Sequence, residues 1–192
     1  FKIKFTFRIP TKKKFLIYDL YNDKILSKIL KNDYNIMPTR YEKLSLPIFA
    51  YSLIVNFKDT FKLKNIYFNY LKTFIDFTKP LSVITYVDND KKFFTFKKYF
   101  KNIKFIAIQN GYRFYKNDLF EAIQNSNYIF ECDEYYCYGE NIKNYLKNKV
   151  KANIYSIGSL KNNYCSINNN IIKKNLCFIS SFGISNHKYE KL

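Results

Sequence analysis

The sequence predicts an α/β fold, a parallel sheet with helices on both faces. Short apolar runs recur along the chain, stretches with apolar residues at helical spacing lie between them, and most runs close on polar or glycine residues. Runs apolar on both sides fit buried parallel strands. Crossovers between such strands are right-handed, so their exits gather on one edge, where open α/β sheets bind ligands.

Residues 3–9 alternate Ile3, Phe5, Phe7 and Ile9 with Lys4, Thr6 and Arg8. They read as a half-exposed edge strand or a lead-in arm, ended by Pro10. Phe15-Leu16-Ile17-Tyr18, closing on Asp19, reads as the first core strand. Asn22 and Asp23 are N-cap candidates for a helix with Ile25, Leu26, Ile29 and Leu30 on one face. Tyr34-Asn35-Ile36-Met37 reads as a second strand, with Thr39-Arg40 beyond it. Residues 44–55 fit either a strand followed by a helix or a helix beginning at Pro47.

Tyr67, Leu71, Phe74 and Ile75 predict a helix over 63–78, stopped by Lys79-Pro80. A buried strand at 82–87 exits into Asp88-Asn89-Asp90, and Phe93, Phe96 and Phe100 share the face of a short helix. Next comes the central stretch, Phe105-Ile106-Ala107-Ile108-Gln109-Asn110-Gly111-Tyr112-Arg113. It is an apolar strand that stops on two amides, a glycine, an aromatic ring and a cation. Gly111 offers a turn through positive φ and close approach to the backbone, and Arg113 a fork for phosphate or carboxylate. The same letters also fit an ordinary Asn-Gly turn with a surface arginine.

Downstream, residues 118–125 read as a helical turn, and Tyr128-Ile129-Phe130 as a short strand leading to Glu131-Cys132-Asp133. Gly139-Glu140 precedes a helix carrying Ile142, Tyr145 and Leu146, and a strand at 154–157 exits at Gly158-Ser159. Residues 161–175 are polar and asparagine-rich, and read as a linker. A fresh strand at 176–179 exits into Ser180-Ser181. The domains expected are 1–160, the linker 161–175, and the start of a second domain at 176–192. The chain opens at Phe1 and stops inside a continuing fold, so we read it as a piece of a longer protein.

The 192 residues suffice for one domain with a sizeable core. Lys and Arg number 33 against 15 Asp and Glu, a net charge of +18. The lysines are dispersed, and the composition, crowded with Lys, Asn, Ile, Phe and Tyr, is that of A/T-rich codons. A solvated lysine-rich surface is favoured over a polyanion site, and no nucleic-acid partner is expected. A mild attraction to anionic membranes or phosphate-bearing substrates remains. The four cysteines (Cys132, Cys137, Cys165, Cys177) form no CxxC pair and the one histidine is His187, so no metal or other cofactor is expected. The longest apolar stretch, 46–55, is too short to span a bilayer and carries Pro47 and Ser52. The expected location is cytoplasmic, with peripheral attachment at the inner face of the cell membrane left open.

No Walker loop, GxGxxG, nucleophile elbow or HExxH is present. The expected rim carries Asp19, Thr39-Arg40, Asp88-Asn89-Asp90, Gln109-Asn110-Gly111, Glu131 and Gly158-Ser159. Asp88 reads as a general base fixed by a buried strand, or as a cap for the helix after it, a role Asn89 or Asp90 fills better. Gly139-Glu140 reads as a helix start, with Glu140 offsetting the dipole. Gly158-Ser159 offers backbone N–H groups to an anion or turns the chain into the linker. Ser180 and Ser181 suit a nucleotide phosphate or a polar loop.

The series Asp88-Asn89, Ile108-Gln109-Asn110-Gly111-Tyr112-Arg113, Gly139-Glu140, Ile157-Gly158-Ser159-Leu160-Lys161-Asn162-Asn163 and Phe178-Ile179-Ser180-Ser181-Phe182 resembles a family of bacterial surface-carbohydrate (O-antigen or capsule) biosynthesis proteins. These look like glycosyltransferases of the GT-B class, built from two Rossmann-like domains. The resemblance implies the acceptor-side N-terminal domain, plus the first strand of the donor-side domain. It implies metal-independent transfer of a sugar from a nucleotide-sugar donor to a surface polysaccharide or lipopolysaccharide, with a glycan or lipid-linked acceptor. In that reading Asp88 deprotonates the acceptor, Asn89, Gln109, Asn110, Gly111, Arg113, Gly158 and Ser159 line the cleft, and Ser180 and Ser181 meet the donor phosphates. The fragment alone would be inactive. A nucleotide-sugar 2-epimerase of the same architecture is the second enzyme reading. A non-enzymatic basic module binding nucleic acid or lipid is the third, and a steep salt dependence of duplex binding would mark it.

Overall fold

Five parallel pairings join six strands into one sheet in the computed structural model, which describes residues 3–19, 23–40, 43–56, 65–111 and 130–162. In chain order the elements are β1 (Lys4–Thr6), β2 (Phe15–Tyr18), α1 (Asp23–Leu30), β3 (Tyr34–Met37), β4 (Lys43–Ser45), α2 (Leu46–Val55) and α3 (Ile66–Thr78). Then follow β5 (Ser82–Thr85), α4 (Lys91–Lys97), β6 (Lys104–Ile108), β7 (Phe130–Cys137), α5 (Glu140–Leu146) and β8 (Val150–Ser156). The sheet order is β3-β2-β5-β6-β7-β8, while β1 and β4 form a small parallel sheet of their own. The architecture is Rossmann-like. The chain steps outward from β2 to β3, then returns past β2 to β5. That places a topological switch point between β2 and β5.

Alternation along the strands builds two cores. Leu16, Tyr18, Val83, Phe105 and Ala107 face the layer of α2, α3, α4 and α5, among them Ile48, Leu71, Phe93 and Ile142. Ile17, Ile84, Tyr86 and Ile108 face the other way, toward Leu26 and Leu30 of α1 and toward Leu160. The first core is aromatic. Phe93 packs edge-on against Tyr18, Phe94 and Phe105, with ring centroids 5.3 to 5.5 Å apart.

Local chemistry sets the element ends. Residues 43–55 are a strand followed by a helix. Pro47 lies in the first turn of α2, where its missing N–H costs no helical bond. Lys79 turns left-handed (φ 45°) and its N–H donates to the Ile75 carbonyl at 2.9 Å, and Pro80 stops any continuation of α3. Asp90 caps α4, accepting the Lys92 N–H at 2.9 Å.

Two expectations are corrected. The strand expected to end at Phe130 instead runs from Phe130 to Cys137, so Glu131 lies near its start and off the rim. A register shift between Glu131 and Glu134 keeps Phe130, Cys132, Tyr135 and Cys137 on one core. The acids that look like a strand exit are instead paired. Glu131 meets Lys151 at 3.1 Å, Asp133 meets Lys97 at 2.8 Å, and Glu134 meets Lys104 at 2.7 Å. Asp133 also accepts the Phe105 N–H at 2.6 Å. In the arm, the apolar side is not the buried side: Ile3, Phe5, Phe7 and Ile9 are all exposed. The expected turn at 118–125, the linker beyond Asn162 and the second-domain strand lie outside the described residues.

Phe93→Ala removes a ring that three others pack against. It is expected to cost about 3–5 kcal/mol, read as a lower urea midpoint with unchanged slope. The Lys104 ammonium, hydrogen-bonded to Glu134, holds that carboxyl below its ordinary 4.5, and the Tyr136 hydroxyl adds to the effect. A depressed carboxyl pKa contributes stability above the unfolded value and loses it as pH falls through the folded value. Lys104→Gln should therefore melt below the parent at neutral pH. The gap should close as pH falls below about 4.5.

Candidate functional site

Because all six strands run the same way, their exits share one edge, and polar side chains there hold the exits to each other. At the end of β2, Asp19 adopts φ 80°, a left-handed conformation that Asp tolerates better than most residues. Its N–H donates to the Met37 carbonyl at 3.0 Å, tying β2 to β3. Its buried carboxylate accepts from the Thr39 hydroxyl and from Arg40 Nε at 3.0 Å, while the Arg40 side chain itself is exposed. One exit thus presents a guanidinium oriented by a buried acid at the switch point.

Asp88 leaves β5 and is 0% exposed. Its carboxylate accepts from the Tyr135 hydroxyl of β7 at 2.6 Å and from the Asn110 N–H beyond β6 at 3.3 Å. A buried carboxylate needs such donors, and these join three exits. Asp88 therefore sits beneath the rim, out of contact with solvent. Asn89 is exposed at the tip of the β5–α4 turn. Asp90 is occupied as the α4 cap and as acceptor from the Tyr18 hydroxyl at 2.7 Å. Burial, and then the Asp90 carboxylate, push that hydroxyl well above the usual phenol range.

Gln109 is buried and works as a clamp. Its N–H donates to the Tyr136 carbonyl, its side-chain oxygen accepts the Tyr138 N–H, and its side-chain nitrogen donates to the Gly111 carbonyl, all at 2.8 Å. Asn110 is the meeting point. The Tyr138 hydroxyl donates to its carbonyl, and Lys161 Nζ donates to its Oδ1 at 3.1 Å. Lys161, expected as the first residue of a linker, lies over the Tyr86 ring at 5.7 Å. It gets there because Gly158 turns at φ 76° and Leu160 packs into the second core. The Ser159 hydroxyl accepts the Asn162 N–H at 3.5 Å and closes that turn.

Gly111 does not use the positive φ open to it, and the space where a Cβ would stand is open. Gly139 is extended (φ −173°), a conformation any residue adopts, at the start of α5. Arg113, Ser180, Ser181 and His187 lie outside the described residues. Cys132 and Cys137 are buried, and burial pushes both thiols up, away from nucleophilic use. Among the described residues no three His, Cys, Asp or Glu side chains gather into a metal site.

The sequence reading singled out Asp88, Gln109 and Asn110 and placed them at one edge. It did not single out Tyr135, Tyr138 or Lys161 as site residues. Tyr135 sits on a strand read as ending earlier, Tyr138 directly follows that strand, and Lys161 sat in an expected linker. The Arg40 and Lys161 cations are anchored at the ends of β2 and β6, two strand spacings or about 10 Å apart, flanking the exit of β5. Such a pair suits an extended anionic group lying across the rim.

Residues 105–192 match a family model described as "putative O-antigen biosynthesis protein". The match associates this chain with O-antigen biosynthesis. It begins at the second residue of β6 and runs to residue 192, so Gln109, Asn110, Tyr135, Tyr138 and Lys161 fall within it, while Asp19, Arg40 and Asp88 precede it. No curated protein and no solved structure matches the chain.

The three positions separate by stability. Asp88→Asn turns an amide NH₂ toward either the Tyr135 hydroxyl or the Asn110 N–H and should cost about 1–3 kcal/mol. Gly158→Ala, forced into the left-handed region, should cost about 1 kcal/mol. Gly111→Ala meets open space at an ordinary φ and should leave the thermal midpoint unchanged. Denaturation curves of the three variants check the order.

Proposed function

We propose that this chain is the acceptor-side part of a GT-B-like glycosyltransferase, moving a sugar from a nucleotide-sugar donor to a surface polysaccharide or lipopolysaccharide acceptor. One observation carries the reading. Two cations, Arg40 and Lys161, flank the switch point of a parallel sheet, each fixed by a rim partner, in a chain associated with O-antigen biosynthesis. Sugar transfer from a nucleotide donor develops negative charge on a departing phosphate, and lipid-linked acceptors carry phosphate as well. Fixed cations at a sheet edge serve either group.

In this reading Arg40 and Lys161 bind the anionic group, with Asn89, Asn110 and Gly111 lining the acceptor side. The open space beside Gly111 gives a substrate group access to the backbone. Ser159 shapes the turn that delivers Lys161. Arg113 lines the cleft with Asn89, Asn110 and Gly111, and Ser180 and Ser181 meet the donor phosphates. Asp88 acts through Asn110, whose N–H it holds, and is a positioning residue. A general base must reach the proton it removes, and in this arrangement the Asp88 carboxylate is enclosed by Tyr135 and Asn110.

The test is transfer of labelled sugar from nucleotide-sugar donors to glycolipid extract by the whole gene product. Arg40→Gln and Lys161→Met should each lower kcat/KM roughly ten-fold or more, with the fold retained by circular dichroism. Asp88→Asn should lower activity while keeping the shape of the pH–rate profile; loss of one limb would restore it as the base. Isomerised nucleotide sugar with no transfer would replace this reading with an epimerase. A steep salt dependence of binding to random duplex, without sugar chemistry, would replace it with a nucleic-acid module.

A further inference from the structure

A helix of a globular domain normally turns polar residues to solvent, and α2 does not. Its sequence, Leu46 to Val55, contains no charged residue. Ile48 and Ser52 are buried against the core, while Ala50, Tyr51, Ile54 and Val55 form the opposite face. Tyr51 is 53% exposed, Ile54 73% and Val55 58%. A helix apolar on both sides is one whose outer side meets something other than water.

Beside this face runs a groove of about 570 Å³ between α2 and α3. Tyr51, Val55 and Phe77 supply its apolar wall, and Lys12, Lys72 and Lys79 its cations. Asp76 is the carboxylate among its lining residues, and the Lys72 and Lys79 ammonium groups act on it. The arm carries further exposed aromatics and aliphatics. β1 pairs with β4, β4 leads directly into α2, and Phe5, Phe7 and Ile9 are exposed.

We propose that the outer face of α2 and the lysine-lined groove beside it dock the chain on an anionic phospholipid bilayer. The apolar side chains enter the interface between headgroup and acyl chain, Tyr51 sits at headgroup level, and Lys12, Lys72 and Lys79 meet lipid phosphates. The arrangement matches a lipid surface in both respects: an apolar strip for the boundary and cations at its margin for the headgroups. A second copy fits poorly. A two-fold contact through α2 would bring each lysine trio toward its own image on a chain of net charge +18. No described helix is long and apolar enough to cross a membrane, so this is attachment to a surface. The inference does not depend on the glycosyltransferase reading.

These 192 residues contain no tryptophan, so Tyr51→Trp is their sole reporter. With vesicles of phosphatidylcholine plus phosphatidylserine its emission should shift to the blue and be quenched by brominated acyl chains. With phosphatidylcholine alone the shift should be weak. Ile54→Gln with Val55→Gln, which leaves charge unchanged, should weaken vesicle co-sedimentation roughly ten-fold. Lys12→Gln, Lys72→Gln and Lys79→Gln together should weaken it roughly a hundred-fold, and more than the same change at Lys31, Lys101 and Lys147. Unchanged emission with anionic vesicles overturns the proposal. So does equal weakening by the two lysine triples with no effect at Ile54 and Val55, which would mean diffuse attraction. Lipid-independent self-association abolished by the Ile54 and Val55 changes would overturn it in favour of a second copy. Circular dichroism of each variant separates loss of docking from loss of fold.

Discussion

The carboxylate of Asp88 is the constraint on which the rim depends. A charge wholly removed from water is tolerated only where donors replace the lost hydration, and here the Tyr135 hydroxyl and the Asn110 N–H do so. The donors come from different strands, so satisfying one acid fixes three exits. Once Asn110 is held, its carbonyl and side-chain oxygen point where Tyr138 and Lys161 meet them. A network of this kind is specific because its members orient one another, so a change at one is felt at the next.

Beneath the rim, the aromatic core provides the stiffness the network needs. Tyr18 belongs to both. Its ring packs against Phe93 and Phe96, and its hydroxyl reaches the Asp90 cap. Phe105 likewise links core and sheet: its ring meets Phe93 and its N–H reaches Asp133. Large planar side chains with two torsions lose little rotational freedom on burial, so a core built from them positions neighbouring strands at modest entropic cost. The rim geometry is thereby carried by packing some distance below it.

The parallel sheet was legible because β2, β5 and β6 are apolar on both faces and close on polar residues, a pattern that depends on burial alone. β7 was not legible past Phe130. Its Glu131, Asp133 and Glu134 look like solvent-facing letters, and only the pairing with β6 and β8, with Lys151, Lys97 and Lys104 meeting the acids, makes them strand residues. Pairing between distant segments leaves no local trace, so Tyr135 and Tyr138 went unrecognised with it. The apolar alternation of the arm misled in the opposite way: periodicity reports which residues share a side, not whether anything covers that side. At Gly111 the two readings could not be separated, since an Asn-Gly pair permits a left-handed turn without requiring one. At Gly158 the same freedom is in fact used.

Net charge, the most conspicuous feature of the composition, says little until the acids are located. Asp19, Asp33, Glu131, Asp133, Glu134 and Glu140 each sit against a lysine or arginine, so their charge is cancelled within a few ångströms. Compensation of that sort leaves little field at the distances over which screened charges act. The surplus is felt where cations gather around few acids, and the groove of Lys12, Lys72 and Lys79 around Asp76 is such a place. An excess of lysine drawn from codon bias would be spread without regard to side-chain neighbours. Here the cations border the outer face of a helix that offers water no charge at all, and that coincidence of field and apolar surface gives the composition a physical meaning it lacks as a total.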